Sequence, residues 1–218
     1  MTLPAFAQLP AGDLVLASAS STRAKILHDA GIGYRCYPVV IDEESVRASA
    51  SAEAVPIGDI ATILAEMKAA VAVQRLALET DPVPAYVLGC DQILSCDEVI
   101  YSKPQNHSMA KAQLMDLSGK THQLFCAAVL YRNGERIWHH LAIAEITMRC
   151  LDEGFIDSYL DRLGVAAFSS PASYQIENLG AHLLSRIDGC HFAILGLPLL
   201  ELLGILREHG LKPAAICR

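Results

Sequence analysis

The tightest constraint on the fold lies near the start of the chain. Asp13-Leu-Val-Leu-Ala17 is a short apolar run, Ser18-Ala-Ser-Ser-Thr22 is a hydroxyl-rich turn, and Arg23 to Ala30 carries Ile26 and Leu27 at helical spacing before a stop at Gly31. The order reads as buried strand, polar turn and helix. Such a unit aims the unpaired N–H groups of the helix N-terminus at whatever lies beyond the turn, and that place favours anions. An ordinary serine cap is the other use of the same residues.

The remaining segments extend this alternation. Tyr34 to Ile41 reads as a strand ending in the acidic run Asp42-Glu43-Glu44, and Ser45 to Val55 reads as a loop. Asp59 to Leu78 reads as a long helix, with Ile60, Ile63, Leu64, Met67, Val71 and Leu78 near the 3.6 period. After a loop at Asp81-Pro-Val-Pro84, Tyr86-Val-Leu-Gly89 is a second buried strand with Cys90-Asp91-Gln92 at its end. Ile93-Leu94 and Val99-Ile100 are short strands around a turn at Asp97-Glu98, and Ser108 to Leu117 is a helix facing inward through Ala110, Leu114 and Leu117. Thr121 to Tyr131 and Arg136 to Cys150 are the arms of a hairpin turned by Asn133-Gly134. Asp152 to Leu163 is an amphipathic helix stopped by Gly164, and Gly196 to His209 is a helical tail entered through Pro198. Alternating strands and helices followed by an antiparallel hairpin describe an α/β chain with a mixed sheet.

Composition narrows the function. Hydrophobic residues make up 52% and charged residues 19%, which excludes intrinsic disorder. With 24 acids against 17 bases, the chain lacks the broad basic surface that duplex nucleic acid needs, though a few local bases can still hold a small anion. The most apolar run, Ala193 to Leu206, is broken by Pro198 and Glu201 and falls short of the roughly 20 residues of a membrane span. No basic residue precedes Asp13, so no signal peptide is read and a cytoplasmic chain is expected. Seven cysteines without a C-x-x-C pair read as reduced thiols, and no zinc site is expected.

Several residues carry candidate chemistry. Asp91 follows a buried strand and a glycine, which places a carboxylate at a strand end, where open α/β sheets bind ligands. There it can hold a divalent cation, take a proton from water, or simply cap a turn. Asp42-Glu43-Glu44 is either solvated surface or the second half of a magnesium site. Arg23, Lys68 and Lys103 each adjoin a motif, and three cations converging with magnesium would suit a triphosphate. Ser118-Gly-Lys-Thr121 imitates the end of a P-loop, but Leu114 stands where the motif needs glycine, and the segment joins helix to strand. His122 is either a ligand contact or a structural histidine. No serine sits in a G-x-S-x-G elbow, so a hydrolase triad is not supported.

Taken together, these blocks resemble the Maf family of nucleoside triphosphate pyrophosphatases. Leu16-Ala-Ser-Ala-Ser-Ser-Thr-Arg23 is similar to L-A-S-x-S-P-R-R, Asp42-Glu43 to D-E, and Leu64-Ala-Glu-Met-Lys-Ala69 to L-A-x-x-K-A. Leu88-Gly-Cys-Asp-Gln92 is similar to the G-x-D-T block, Lys103-Pro104 to G-K-P, and Leu117-Ser-Gly-Lys-Thr-His122 to L-S-G-x-x-H. Tyr174-Gln-Ile-Glu177 and Gly196-Leu-Pro-Leu199 are similar to Y-x-I-Q and G-L-P-L. The resemblance implies a twisted mixed sheet flanked by helices, in a single two-lobed domain over 1–218 with a central cleft and a tail at about 1–12. It implies hydrolysis of a nucleoside triphosphate to the monophosphate and pyrophosphate with a divalent metal (Mg, Mn or Co), and a homodimer. It implies that Asp91 accepts the proton, that Ser18, Ser20, Arg23, Lys68 and Lys103 hold phosphates, and that Glu43 and Asp91 bind the metal. Thr22, Gln92 and Glu177 fall at the positions that shape base selection. Gln92 with Glu177 is similar to the branch that hydrolyses 7-methyl-GTP; the alternatives are the commoner branch, which takes dTTP and UTP, and a nucleotide-binding regulator of cell division without turnover.

Overall fold

The structure is a computed structural model and describes residues 7–8, 14–79 and 85–213. Asp13, most of the expected N-terminal tail and the loop expected at 81–84 lie outside the described residues. The first elements are strand β1 (Ala7–Gln8), strand β2 (Leu14–Leu16), helix α1 (Ser21–Asp29), strand β3 (Tyr34–Cys36), helix α2 (Glu43–Ala52), helix α3 (Ile57–Glu79) and strand β4 (Tyr86–Cys96). Strand β5 (Val99–Tyr101), helix α4 (His107–Leu117), strand β6 (Thr121–Arg132), strand β7 (Glu135–Met148) and helix α5 (Glu153–Leu163) follow. Three short 3-10 turns then lead to strand β8 (Leu184–Asp188), helix α6 (His191–Ile194), helix α7 (Leu199–Glu208) and strand β9 (Lys212–Pro213).

Seven strands form one mixed sheet, ordered β3-β2-β4-β6-β7-β8 with β5 paired to β4, and helices flank it. A separate ribbon joins β1 and β9 antiparallel. The chain divides into two compact units: Met1–Gln92 with Cys126–Ala142 and Cys190–Arg218, and Ile93–Phe125 with Ile143–Gly189. Strands β4, β6 and β7 each contribute residues to both.

In the first unit β2 lies between two parallel partners, with Leu14 opposite both Tyr34 and Tyr86. A strand flanked on both sides must be apolar on both faces, and Leu14, Val15 and Leu16 are all fully buried. The two-residue period sorts the side chains. Leu14, Leu16, Tyr86, Leu88 and Cys90 pack with Ile26 and Leu27 of α1 and Leu202 and Leu206 of α7. Val15, Ala17 and Val87 point the other way, onto Ala69, Ala72 and Leu76 of α3.

In the second unit β5 pairs antiparallel with the end of β4 through a turn in which Asp97 and Glu98 have φ of 50° and 64°, as expected for a tight hairpin. Helix α4 buries Ala110, Leu114 and Leu117, and it ends before Gly119, whose φ is 73°. Asp152 caps α5, which buries Ile156, Tyr159 and Leu160 and stops at Gly164 with φ of 55°. Lys111 ties the two helices by ion pairs to Asp157 at 2.9 Å and Glu153 at 3.3 Å.

Three expectations need correction. Strand β3 ends at Cys36, and the acidic run opens helix α2 where a loop was expected over Ser45 to Val55. The cause is capping: Asp42 accepts from the Ser45 amide at 3.0 Å and from its hydroxyl at 2.7 Å, while Glu43 and Glu44 sit at the positive end of the helix dipole. Second, the buried face of α3 is a row of small residues, Ala61, Ala65, Ala69 and Ala72, joined by Ile60, Leu64 and Leu76. Ile63 (39%) and Leu78 (90%) are exposed. Third, β4 does not stop at Gly89. It runs unbroken to Cys96, so Asp91 lies within a strand and Ile93-Leu94 is not a separate one.

Candidate active site

Asp91 owes its place to the unequal lengths of neighbouring strands. Strand β2 ends at Leu16, and Ala17 still bonds to the Leu88 carbonyl at 2.8 Å. Strand β4 continues, so Asp91 emerges beyond the carboxyl end of its parallel neighbour, where the serine turn begins. This is the edge where ligands bind in α/β sheets. Period two puts Val87, Gly89 and Asp91 on the α3 side. A Cβ on Gly89 would stand 2.1 Å from the Ala65 carbonyl oxygen, so only glycine lets the helix lie this close. Lys68 is three residues past Ala65 on α3, and at this separation its Nζ reaches Asp91 Oδ1 at 2.6 Å.

Two more side chains complete the cluster. Glu43, in the first turn of α2, places Oε1 2.7 Å from Lys68 Nζ. Arg47, one turn later, bonds Glu43 Oε2 at 2.9 Å and stands 4.0 Å from Asp91 Oδ2. Asp91 is only 3% exposed, and its Oδ2 is buried without a hydrogen-bond partner. Burial raises the Asp91 pKa above the usual carboxylate range; Lys68 and then Arg23 pull it back, and Glu43 adds to the rise. A carboxylate with a raised pKa is a better proton acceptor near neutrality.

The serine turn adjoins this cluster within the same unit. Ser20 caps α1 by accepting from the Arg23 amide at 3.3 Å, and Ser18 accepts from the Ser20 amide at 3.2 Å. The Arg23 guanidinium, which would oppose the helix dipole, donates Nε to the Gly196 carbonyl at 2.7 Å, and Nη1 to Ser18 Oγ and to the Cys90 carbonyl at 3.1 Å each. Gly196 has φ of 98°, and a Cβ there would come within 3.3 Å of Arg23 Nε, which accounts for a glycine at that point. Thr22 lies half-buried in the first turn of α1.

The structure thus gathers Ser18, Ser20, Arg23, Glu43, Lys68 and Asp91 in one unit. Gln92 follows Asp91 on the opposite face of β4 and donates Nε2 to the Ala193 and Ile194 carbonyls at 2.9 and 3.0 Å, fixing the end of α6. Lys103 and Glu177 belong to the second unit, where both are exposed. His122, in that unit too, is fully buried with Nε2 2.8 Å from the Tyr174 hydroxyl. Its Nδ1 has no partner, and burial lowers its pKa to about 4. Arg47 was absent from the sequence-based set; its spacing four residues after Glu43, a helical ion-pair distance, was the available signal.

The oxygen donors fit a hard divalent cation. Glu43 and Asp91 share one ammonium group, and Asp91 Oδ2 keeps an unsatisfied lone pair. Magnesium takes one or two protein carboxylates and completes its shell with water and phosphate oxygens. Among the described residues no three His, Cys, Asp or Glu side chains converge as a metal cage. No helix among the described residues is long and apolar enough to cross a membrane.

A buried acid on an overrunning strand, a lysine held against it and an arginine-anchored serine turn define the candidate site of this α/β protein. The chain belongs to the Maf-like protein family, whose profile matches residues 13–209. It is 44% identical over 196 residues, covering 90% of this chain and 98% of the relative, to a nucleoside triphosphate pyrophosphatase of Paramagnetospirillum magneticum. It is 45% identical over 196 residues to a 7-methyl-GTP pyrophosphatase of Brucella abortus, with 90% and 96% of the two chains covered. A third relative, a 7-methyl-GTP pyrophosphatase of Mesorhizobium japonicum, is 42% identical over 197 residues, with the same shares covered.

Proposed function

We propose that this chain hydrolyses a nucleoside triphosphate to the monophosphate and pyrophosphate, with 7-methyl-GTP as the preferred substrate. The observation that carries the reading is the Asp91 carboxylate: almost fully buried, one oxygen clamped by Lys68, the other without a partner. A water oxygen bonds to the α-phosphorus, the bond from that phosphorus to the bridging oxygen breaks, and the water proton passes to Asp91. Lys68 holds Asp91 in register and offsets the charge that grows on the phosphates. Ser18, Ser20 and Arg23 present hydroxyl and guanidinium groups at the α1 N-terminus to the same polyanion. Glu43 and Asp91 would hold a divalent cation, which when bound neutralises phosphate charge.

Base choice is assigned to Gln92 and Glu177. Gln92 commits its amide hydrogens to the Ala193 and Ile194 carbonyls, which leaves its side-chain oxygen as the group to meet a ligand. A carboxylate at 177 accepts from the N1–H and amino group of guanine and offsets the positive charge of a 7-methylated ring. Two relatives named as 7-methyl-GTP pyrophosphatases support this preference.

The test is a panel of 7-methyl-GTP, GTP, UTP and dTTP with magnesium, manganese or cobalt, scored for pyrophosphate. Asp91→Asn abolishes release while nucleotide binding persists, and Glu177→Gln loses more activity on 7-methyl-GTP than on UTP. Full turnover by Asp91→Asn rejects the catalytic assignment. Equal losses on both nucleotides remove Glu177 from base selection.

A further inference from the structure

Arg47 has no role in the mechanism above, yet its surroundings are those of a ligand-binding group. Lys68, Asp91, Arg47 and Glu43 form a closed ring of alternating charge, with contacts of 2.6, 4.0, 2.9 and 2.7 Å in turn. Three are hydrogen-bonding distances; the contact between Arg47 and Asp91 Oδ2 is too long to be one. The two side chains across that long contact each carry a buried polar atom without a partner, Asp91 Oδ2 and Arg47 Nε. A surface helical pair between Glu43 and Arg47 would require neither the burial nor the second acid; the Arg47 side chain is only 21% exposed.

The guanidinium edge matters most. Nε and Nη2 of an arginine form a side-on fork that matches two oxygens of one phosphate group. In Arg47 that fork is half engaged, Nη2 on Glu43 and Nε on nothing. The ring is also balanced in charge, two carboxylates against two cations, so it takes up a polyanion together with added positive charge. Glu43 and Asp91 would hold such a cation, whose charge would balance theirs and leave the Arg47 guanidinium edge for the phosphates.

We infer that Arg47 is a phosphate-contacting residue of this site, engaging the triphosphate chain of the nucleotide through its Nε–Nη2 edge. The inference rests on the proposed function, and it is tested without turnover. Inorganic tripolyphosphate is titrated calorimetrically, with manganese present, into the full chain and its Arg47→Ala and Arg47→Lys variants. Arg47→Ala weakens binding by about tenfold or more, the scale of one lost charge-assisted contact. Arg47→Lys keeps the charge and a partner for Glu43 but not the fork, so it binds between the two. This variant decides the matter if Arg47→Ala fails to fold. Wild-type affinity in both variants, or no tripolyphosphate binding by the wild type, overturns the inference. A wild type that binds tripolyphosphate but releases no pyrophosphate from any nucleotide refutes the proposed function and leaves Arg47 to be judged on the titration.

Discussion

Replacing Gly89 by alanine tests how the site is held together. The added Cβ would lie 2.1 Å from the Ala65 carbonyl oxygen and 2.9 Å from both the Ala69 amide nitrogen and Cβ, whereas ordinary contact starts at 3.4 Å. Two of these three atoms are backbone, so no rotamer relieves the clash, and α3 must retreat from β4 by roughly 1 Å or more. Overpacking of this kind costs about 1–3 kcal/mol, sometimes more. In a chain of this size each kcal/mol lowers Tm by roughly 2–4 °C, so a fall on the order of 2–12 °C is expected. Lys68 sits on α3 between Ala65 and Ala69, so such a shift acts directly on its 2.6 Å contact with Asp91. Misplacing a reacting group by about 1 Å can cost on the order of 100-fold in rate. Thermal unfolding and pyrophosphate release, measured side by side, separate the two effects. An unchanged Tm refutes the claim that glycine sets the spacing of helix and strand. A lowered Tm with undiminished turnover refutes the claim that this spacing places Lys68 for catalysis.

Other outcomes follow from the same geometry. His122 is neutral when folded, with its pKa lowered by burial from 6.5 to about 4, so its contribution is complete above 6.5 and is lost as pH falls toward 4; the total is about 3 kcal/mol. Urea midpoints across that range show a steeper acid limb in wild type than in His122→Gln, and identical limbs would reject the assignment. Tyr174→Phe strands the buried His122 Nε2 and lowers stability by about 1–3 kcal/mol in denaturant titrations; no change would mean the pair is not stabilising. Arg23→Lys cannot span Gly196, Ser18 and Cys90 at once, so both Tm and nucleotide affinity fall, and wild-type values for both would show that the fork is dispensable.

What the sequence disclosed and what it hid follow from one physical distinction. Elements built on large apolar side chains or on turn residues were legible: β2 with α1, the Asn133-Gly134 hairpin, α4, and α5 with its glycine stop. Elements held by capping or by small residues were not. Helix α2 has one buried side chain, Ala50, and its start is set by the Asp42 cap, so no hydrophobic period marks it. On α3, Ile63 and Leu78 fit the period yet face solvent, because the core side is chosen by what fits against a strand carrying Gly89; alanine fits and larger residues do not. The same closeness turns Lys68 from an ordinary helix lysine into the partner of Asp91. Arg47 was hidden for the related reason that its significance depends on α2 existing. The chemistry of this site therefore rests on residues that a hydrophobic reading passes over: a glycine, a row of alanines and one capping aspartate decide where the charged groups stand.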